Sequence, residues 1–557
     1  MKEEIMDFLV RDIKILVIDD QYNKFKPDLE LTLRKKKERR NWNIIYAETI
    51  EDGKKQIKSE KPDVVILDLL FSENETSKEN SGKRILEYIK REVPYYLPVI
   101  IYSSVEDVNE IARLLSSWGL GADAYFSKNN PDFLEQIQDL ICRLVYENGL
   151  FSNKLGFIIT HGTDTMAYGF SFLRYMLKKI PANIVLTGSQ IPLEGFFSPS
   201  DAIGNLKTGL IALRDIRAPG LFVVFSRGKK IFHRSLTKVK KWNTDAFEGN
   251  IFVESEWWDS SFEKEKRFIA LHKRKKIEYL VLIRTGGTIE SKKDEKTGLL
   301  KATGDYVQGY LSLNLNSFFN RIDTTAESLG KDSSNLIFED WKNIGESIVN
   351  ILDKYGKHEE KKFWLIDSKF NLNVRPILLS PFFTKQDYES MIKKLDGGVI
   401  LGYGAGNGNI SSDTHNILQP IEEFTKQGKF FVISSIVPID KYDFEYETGW
   451  KLIEKGGIPA PSLSFEEALV RLSYVLGHKN IIDKKAKKLK IEPRVLLTAL
   501  YLSGLHFRTN ESRRRYIKYM FNGKDILLAE DVLTSPFLTF EEALEEQIKL
   551  FKSKWTV

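Results

Sequence analysis

At 557 residues the sequence is long enough for three or four domains of roughly 150 residues, and a 42% hydrophobic content supplies several cores. Lys and Arg number 83 against 77 Asp and Glu, and the net charge of +6 is too small for this size to make nucleic acid an expected partner. One cysteine, Cys142, excludes a disulfide framework and any multi-cysteine metal site. No apolar run is long enough to span a bilayer, and MKEEIMDFLVRDIK lacks a signal-peptide core. A cytoplasmic protein with no membrane partner is the expectation.

In chain order, Ile13 to about Glu147 alternates short apolar runs with amphipathic stretches: IKILVIDD, NIIYAET, DVVILDLL, PVIIYSS and ADAYFSK. This βαβ rhythm predicts one doubly wound parallel sheet over residues 1–148, with function at the strand ends. A second series, GFIITHGTDT, NIVLTGSQ, LFVVFSRG, EYLVLIRTGGT and FWLID, predicts a larger α/β lobe over 151–370, interrupted by a charged connector at 256–276. RPILLSPFF, GVILGYGAGNG and FFVISSIVP predict a small α/β lobe over 371–480. Residues 481–557 mix charge with helical apolar spacing and read as a mainly helical extension without assignable chemistry. The basic runs KKKERR at 35–40 and Arg513 to Arg515 read as solvated faces.

Two sets of chemical groups stand out. Asp19 and Asp20, Asp68, Ser103 and Lys128 close four of these strands and so converge on one sheet edge. Crowded carboxylates beside an ammonium suit Mg²⁺, a hard cation that takes oxygen ligands and relieves their repulsion. Asp68 then has the chemistry of a phosphoryl acceptor. Farther along, His161-Gly162-Thr163-Asp164-Thr165 and Thr285-Gly286-Gly287-Thr288 each follow a strand. Paired glycines let backbone N–H groups approach a developing oxyanion. A threonine nucleophile there needs a relay, which Thr163, Asp164 and Lys238 can supply. His161, alone beside a glycine turn, is read as structural. The glycines at 402, 404, 406 and 408 do not have the dinucleotide-binding spacing.

Through VIDD, VVILDLL, PVIIYSS and GADAYFSK, the first segment resembles the receiver domain of bacterial response regulators. The resemblance implies a flavodoxin-like fold with Asp68 as phosphoacceptor, Asp19, Asp20 and Asp68 around Mg²⁺, and Ser103 and Lys128 on the phosphoryl group. It also implies Tyr125 as a reorienting aromatic, and a histidine kinase or phosphotransfer protein as partner. The stretch FSENETSKENSG after Asp68 is longer than usual for that family.

Residues 151 to 478 resemble the asparaginase/glutaminase family through HGTDTM, VLTGSQIP, SDAIGNL, LTKVKKWNTDAF, TGGTIE, KDSSNLIFEDW and GYGAGN. That resemblance implies an amidohydrolase acting on L-asparagine or a related small amide, without a cofactor at this site. Thr288 is the implied nucleophile and Thr163, Asp164 and Lys238 the activating group. Asp332, Ser333, Ser334 and Asn407 are implied in substrate binding, and assembly as a homo-oligomer is implied as well. Two departures stand out. The HGTDT and lysine segments precede TGGT, the reverse of the family order, which suggests a circularly permuted large lobe. The tyrosine usual on the loop after the nucleophile is missing: Leu299 takes its place, and either Tyr306 substitutes or Thr288 is activated differently. The expected function is a phosphorylation-controlled amidohydrolase, and the alternative is an amino-acid-binding sensor that signals through the receiver domain.

Overall fold

A computed structural model describes residues 13–35, 42–71, 82–93, 97–104, 122, 124–128, 137, 141, 155–180, 182–193, 200–215, 220–239, 245–254, 276–297, 299–302, 306–324, 329–355, 365–437, 446–505, 507, 509–523, 526–529, 532–535 and 538–555. The stretch after Asp68, the basic run at 36–40, Cys142, the junction near 151 and the connector at 256–275 lie outside the described residues.

The N-terminal unit has strands β1 (Ile13–Ile18), β2 (Trp42–Ala47), β3 (Val64–Leu67), β4 (Val99–Ser103) and β5 (Ala124–Ser127), with helices α1 (Lys26–Lys35), α2 (Ile50–Glu60) and α3 (Lys83–Glu92). The strands are all parallel in the order β2-β1-β3-β4-β5, which is the flavodoxin-like doubly wound order. Their near-continuous apolar runs are buried on both faces, as parallel strands covered by helices require.

A seven-stranded sheet follows, built from β6 (Leu155–Thr160), β8 (Asn183–Thr187), β9 (Gly220–Phe225), β10 (Lys230–Lys238), β11 (Phe247–Glu254), β12 (Ile277–Arg284) and β15 (Phe319–Asp323), in the order β11-β10-β9-β8-β6-β12-β15. Alternate residues of these strands face opposite cores. Phe157, Ile159, Leu186, Val281 and Ile283 pack against α4 (Met166–Met176) and α7 (Phe338–Tyr355). Ile158, Val185, Leu280 and Leu282 pack against α5 (Ala202–Asp215) and α6 (Tyr306–Asn314). The β13–β14 hairpin (Ser291–Lys293 and Leu300–Ala302) leaves the sheet after TGGT. Sequence reading missed β11, β15 and the extent of β10. Among the described residues of FWLID, Leu365–Ile366 form β16, which pairs with the two-residue β7 (Leu177–Lys178). The next residue, Asp367, is held instead by Tyr474 and His478.

The third sheet is parallel, in the order β17 (Val374–Leu378), β18 (Gly397–Gly402), β19 (Phe430–Ser435) and β20 (Gly457–Pro459). Its helices are α8 (Lys385–Ile392), α9 (Leu418–Lys426), α10 (Glu447–Glu454) and α11 (Phe465–Gly477). Helices α12 (Lys479–Leu489), α13 (Pro493–Leu502), α14 (Asn510–Met520) and α15 (Phe540–Trp555) belong to the same hydrophobic cluster, which runs from Val374 through Leu472 and Leu500 to Phe551. The helical extension is therefore part of the small lobe's core. No helix among the described residues is long and apolar enough to cross a membrane.

Candidate active site

In the N-terminal sheet the five expected residues converge. Lys128 Nζ donates to Asp19 Oδ2 at 2.7 Å and to Asp68 Oδ2 at 2.6 Å. Burial opposes the charge on Lys128, but its hydrogen bonds to the two carboxylates outweigh that and hold its pKa above the ordinary lysine value. Burial pushes the Asp19 carboxyl up, against the Lys128 bond. Carboxylate oxygens of Asp19, Asp20 and Asp68 lie within 4.8 Å of one another. The Ser103 hydroxyl is fully buried and has no hydrogen-bond partner among the described residues. Tyr125 donates its hydroxyl to Ser103 O at 3.2 Å. Gly82 packs on this edge so closely that a Cβ there would sit 2.2 Å from Asp68 O. An all-oxygen donor set of this size fits a hard divalent cation.

The second group forms at the carboxyl ends of β6 and β12. These strands are adjacent and parallel, with Arg284 opposite Thr160, so the HGTDT and TGGT turns emerge side by side. Gly286 and Gly287 take φ of +103° and +85°, which favours glycine. A Cβ on Gly287 would lie 2.4 Å from Gly162 Cα, and one on Gly286 would lie 2.4 Å from Lys331 O. Three loops thus meet backbone to backbone, and Thr288 and Thr163 each directly follow one of the touching glycines. The Thr288 hydroxyl makes no hydrogen bond to any described residue. Lys238 Nζ donates to Thr163 Oγ1 at 2.9 Å and pairs with Asp164. Lys238 gets there because β10 leaves β9 after Phe232 and passes through several register shifts against β11, a device that re-aims strand ends.

Ser333 is buried and ties loops together: its Oγ accepts from Asp164 N at 3.2 Å and its carbonyl accepts from Thr165 Oγ1 at 2.7 Å. Asp332 caps the turn and accepts from Ser334 N and Oγ, bonds that lower its pKa. Asn407 bonds Thr448 in the small lobe and makes no hydrogen bond with the threonine cluster among the described residues. Leu299 is exposed on the hairpin, and Tyr306 begins α6.

Sequence reasoning took His161 as structural but did not identify the partners that brace these loops. His161 is fully buried and neutral, its pKa lowered to about 4 by burial. Its Nδ1 lies 2.7 Å from Gly162 O, which only accepts, and its Nε2 lies 3.2 Å from Trp341 Nε1, which only donates. The proton therefore sits on Nδ1. Asp340 takes Lys331 Nζ and the Ile337 amide, so EDW props HGTDT from behind. Asp201 and Asn205 of SDAIGNL likewise hold the backbone of Gln190, Ile191, Gly188 and Gly228.

Glu290 is almost fully buried, its Oε1 has no hydrogen-bond partner among the described residues, and burial raises its pKa to about 7 against the opposing charge of Arg284. The folded state thus holds this proton more tightly than the unfolded chain. Stability from it is complete below the unfolded value of 4.5 and is lost as pH rises through about 7. Glu290→Gln should remove that slope and raise stability at pH 8 by about 3 kcal/mol while changing little at pH 4, as urea unfolding at both pH values would reveal.

Residues 104–262 match the family model for the asparaginase N-terminal domain, and residues 373–489 match that for the glutaminase/asparaginase C-terminal domain. The TGGT strand lies between the two matches. An L-asparaginase of Thermococcus kodakarensis is 25% identical over 387 residues, 69% of this chain and 88% of that protein. An L-asparaginase of Dirofilaria immitis is 24% identical over 343 residues, 61% of this chain but 43% of that one. The D-type polypeptide of a glutamyl-tRNA(Gln) amidotransferase from Sulfurisphaera tokodaii is 22% identical over 482 residues, 85% of this chain and 83% of its own length. Among solved structures, the thermostable L-asparaginase from T. kodakarensis gives a TM-score of 0.36 at 19% identity, covering 77% of this chain and 98% of that one. A signal receiver domain of a response regulator from Colwellia psychrerythraea gives 0.19 at 24% identity, covering 23% and 98%.

Proposed function

We propose, for a chain that carries an asparaginase/glutaminase-family catalytic domain and is an amide-hydrolysing enzyme, that it hydrolyses L-asparagine or a related small amide through Thr288 under the control of its N-terminal domain. The observation that carries this reading is the meeting of the HGTDT and TGGT turns with Lys238 across Thr163 and Asp164. Thr288 Oγ attacks the amide carbon and its proton passes through the relay to the leaving nitrogen. The C–N bond breaks, ammonia departs, and an acyl ester remains on Thr288. Water, losing a proton to the same relay, then attacks the ester carbon; the acid leaves and Thr288 regains its hydrogen. An ammonium donating to Thr163 Oγ1 makes that hydroxyl a better proton donor and stabilises charge as it develops. Asp332, Ser333 and Ser334 would orient the α-amino and α-carboxyl groups, Ser333 chiefly by fixing the loop. The chain order of the segments, with HGTDT and Lys238 ahead of TGGT, is what supports reading the large lobe as circularly permuted.

For the N-terminal domain, the convergence of Asp68, Ser103 and Lys128 supports a phosphoacceptor reading, with Asp68 Oδ attacking phosphorus as the donor's bond to its leaving group breaks. Asp19, Asp20 and Asp68 would hold Mg²⁺, which supplies charge neutralisation on the phosphoryl oxygens. A histidine kinase or phosphotransfer protein is the proposed donor. Ammonia release from a panel of amides, with and without a small phosphodonor and Mg²⁺, tests both halves. Turnover of asparagine that changes with the phosphodonor in the wild type but not in Asp68→Asn is the expected result. Equal rates in both proteins would remove the regulation, and no release from any amide would remove the substrate assignment.

A further inference from the structure

Two adjacent buried glutamates lie in the first turn of α11, and both reach across to β10 of the large lobe. Glu467 bonds Ser235 Oγ, Arg174 Nη1 at 3.1 Å and Tyr175 OH at 3.4 Å. Glu466 Oε1 accepts from Thr237 Oγ1 at 2.9 Å, and Thr237 directly precedes Lys238 in the strand. Ser235 and Thr237 alternate along the strand, so the helix grips one face of it, and the next residue, Lys238, presents its ammonium to Thr163 and Asp164. At the other end of the grip, fully buried Arg471 binds Tyr175 OH at 3.3 Å, Tyr501 O at 2.8 Å, Ser503 Oγ at 3.2 Å and Ser503 O. Those last partners lie at the carboxyl end of α13, beyond the C-terminal family match.

We infer that Glu466 is a positioning residue for Lys238, and that α13, through Arg471, holds the helix that carries it. This rests on the proposed role of Lys238 in the relay. Neither Glu466 nor Thr237 hydrogen-bonds Thr163 or Asp164. Their effect would pass through the placement of the strand end, and a displacement of that kind is costly in a preorganised site.

The test uses the full chain with Glu466→Leu, Glu466→Gln and Thr237→Val, each first checked for a cooperative thermal transition. Glu466→Leu should lower kcat for the amide that the wild type turns over by about 10- to 100-fold with little change in KM, and Glu466→Gln should recover most of it, because the amide oxygen still accepts from Thr237. Thr237→Val should move kcat in the same direction, and it serves if Glu466→Leu does not fold. Independently of turnover, mass spectrometry after brief labelling with an amine-reactive reagent should show Lys238 modified several-fold faster in Glu466→Leu than in the wild type, with Lys292 and Lys293 unchanged. Unchanged kcat, or unchanged Lys238 labelling, in a folded variant overturns the inference. A wild type without amidase activity would refute the functional reading, and the labelling comparison would still decide the role of Glu466.

Discussion

Thr288→Ala should lower kcat for amide hydrolysis by about 10⁴- to 10⁶-fold, the loss seen when a covalent nucleophile is removed from a site whose other groups remain. The physical case is local. Thr288 opens a single 3-10 turn just after two glycines in left-handed conformations, and its hydroxyl has no partner among the described residues to lose. Deleting it should therefore leave the fold untouched while removing the atom that would form the ester. Thr288→Ser should retain measurable turnover. Mass spectrometry of the wild type quenched during turnover should find an acyl adduct on the tryptic peptide containing Thr288, and the alanine variant should show none. Ammonia release by Thr288→Ala at the wild-type rate would assign the chemistry to another residue.

Arg471→Met should destabilise the protein by about 3 to 5 kcal/mol, because buried carbonyls that lose their donor pay the full desolvation cost. Methionine replaces much of the aliphatic volume but donates nothing to the carbonyls of Tyr501 and Ser503. Denaturant unfolding followed by tryptophan fluorescence would measure the loss, and hydrogen exchange should show weaker protection in α13 and α11 together. A change below about 1 kcal/mol would mean that these carbonyls find other partners.

The parts of this molecule that sequence makes legible are those where chemistry sits at the end of a buried strand. Counting apolar runs alone places Asp19, Asp68, Ser103 and Lys128, and they converge at one sheet edge. HGTDT and TGGT are likewise visible because strands run into both. Lys238 is harder to aim, because its position depends on irregularities in β10 that no residue pattern announces. Glu290, Glu466, Glu467 and Arg471 escape notice because a charge inside an apolar stretch reads as an interruption until its partners are known. The only written hint is the density of such charges in SFEEALVRL, where every turn of the helix is otherwise apolar. The extension looks opaque for a related reason: exposed lysines such as Lys484, Lys487 and Lys488 lie on helices whose inner faces complete a core begun more than a hundred residues earlier.

That shared core has a consequence for biosynthesis. Strands β17 to β20 leave the ribosome well before α15, yet Phe540, Leu544 and Phe551 fill the same apolar interior as Leu472 and Leu500. The interior of the small lobe is fully packed only when α15 has joined it. The N-terminal strands, by contrast, draw their cores from residues between Ile13 and Ile141, so those cores are available for packing earlier in synthesis.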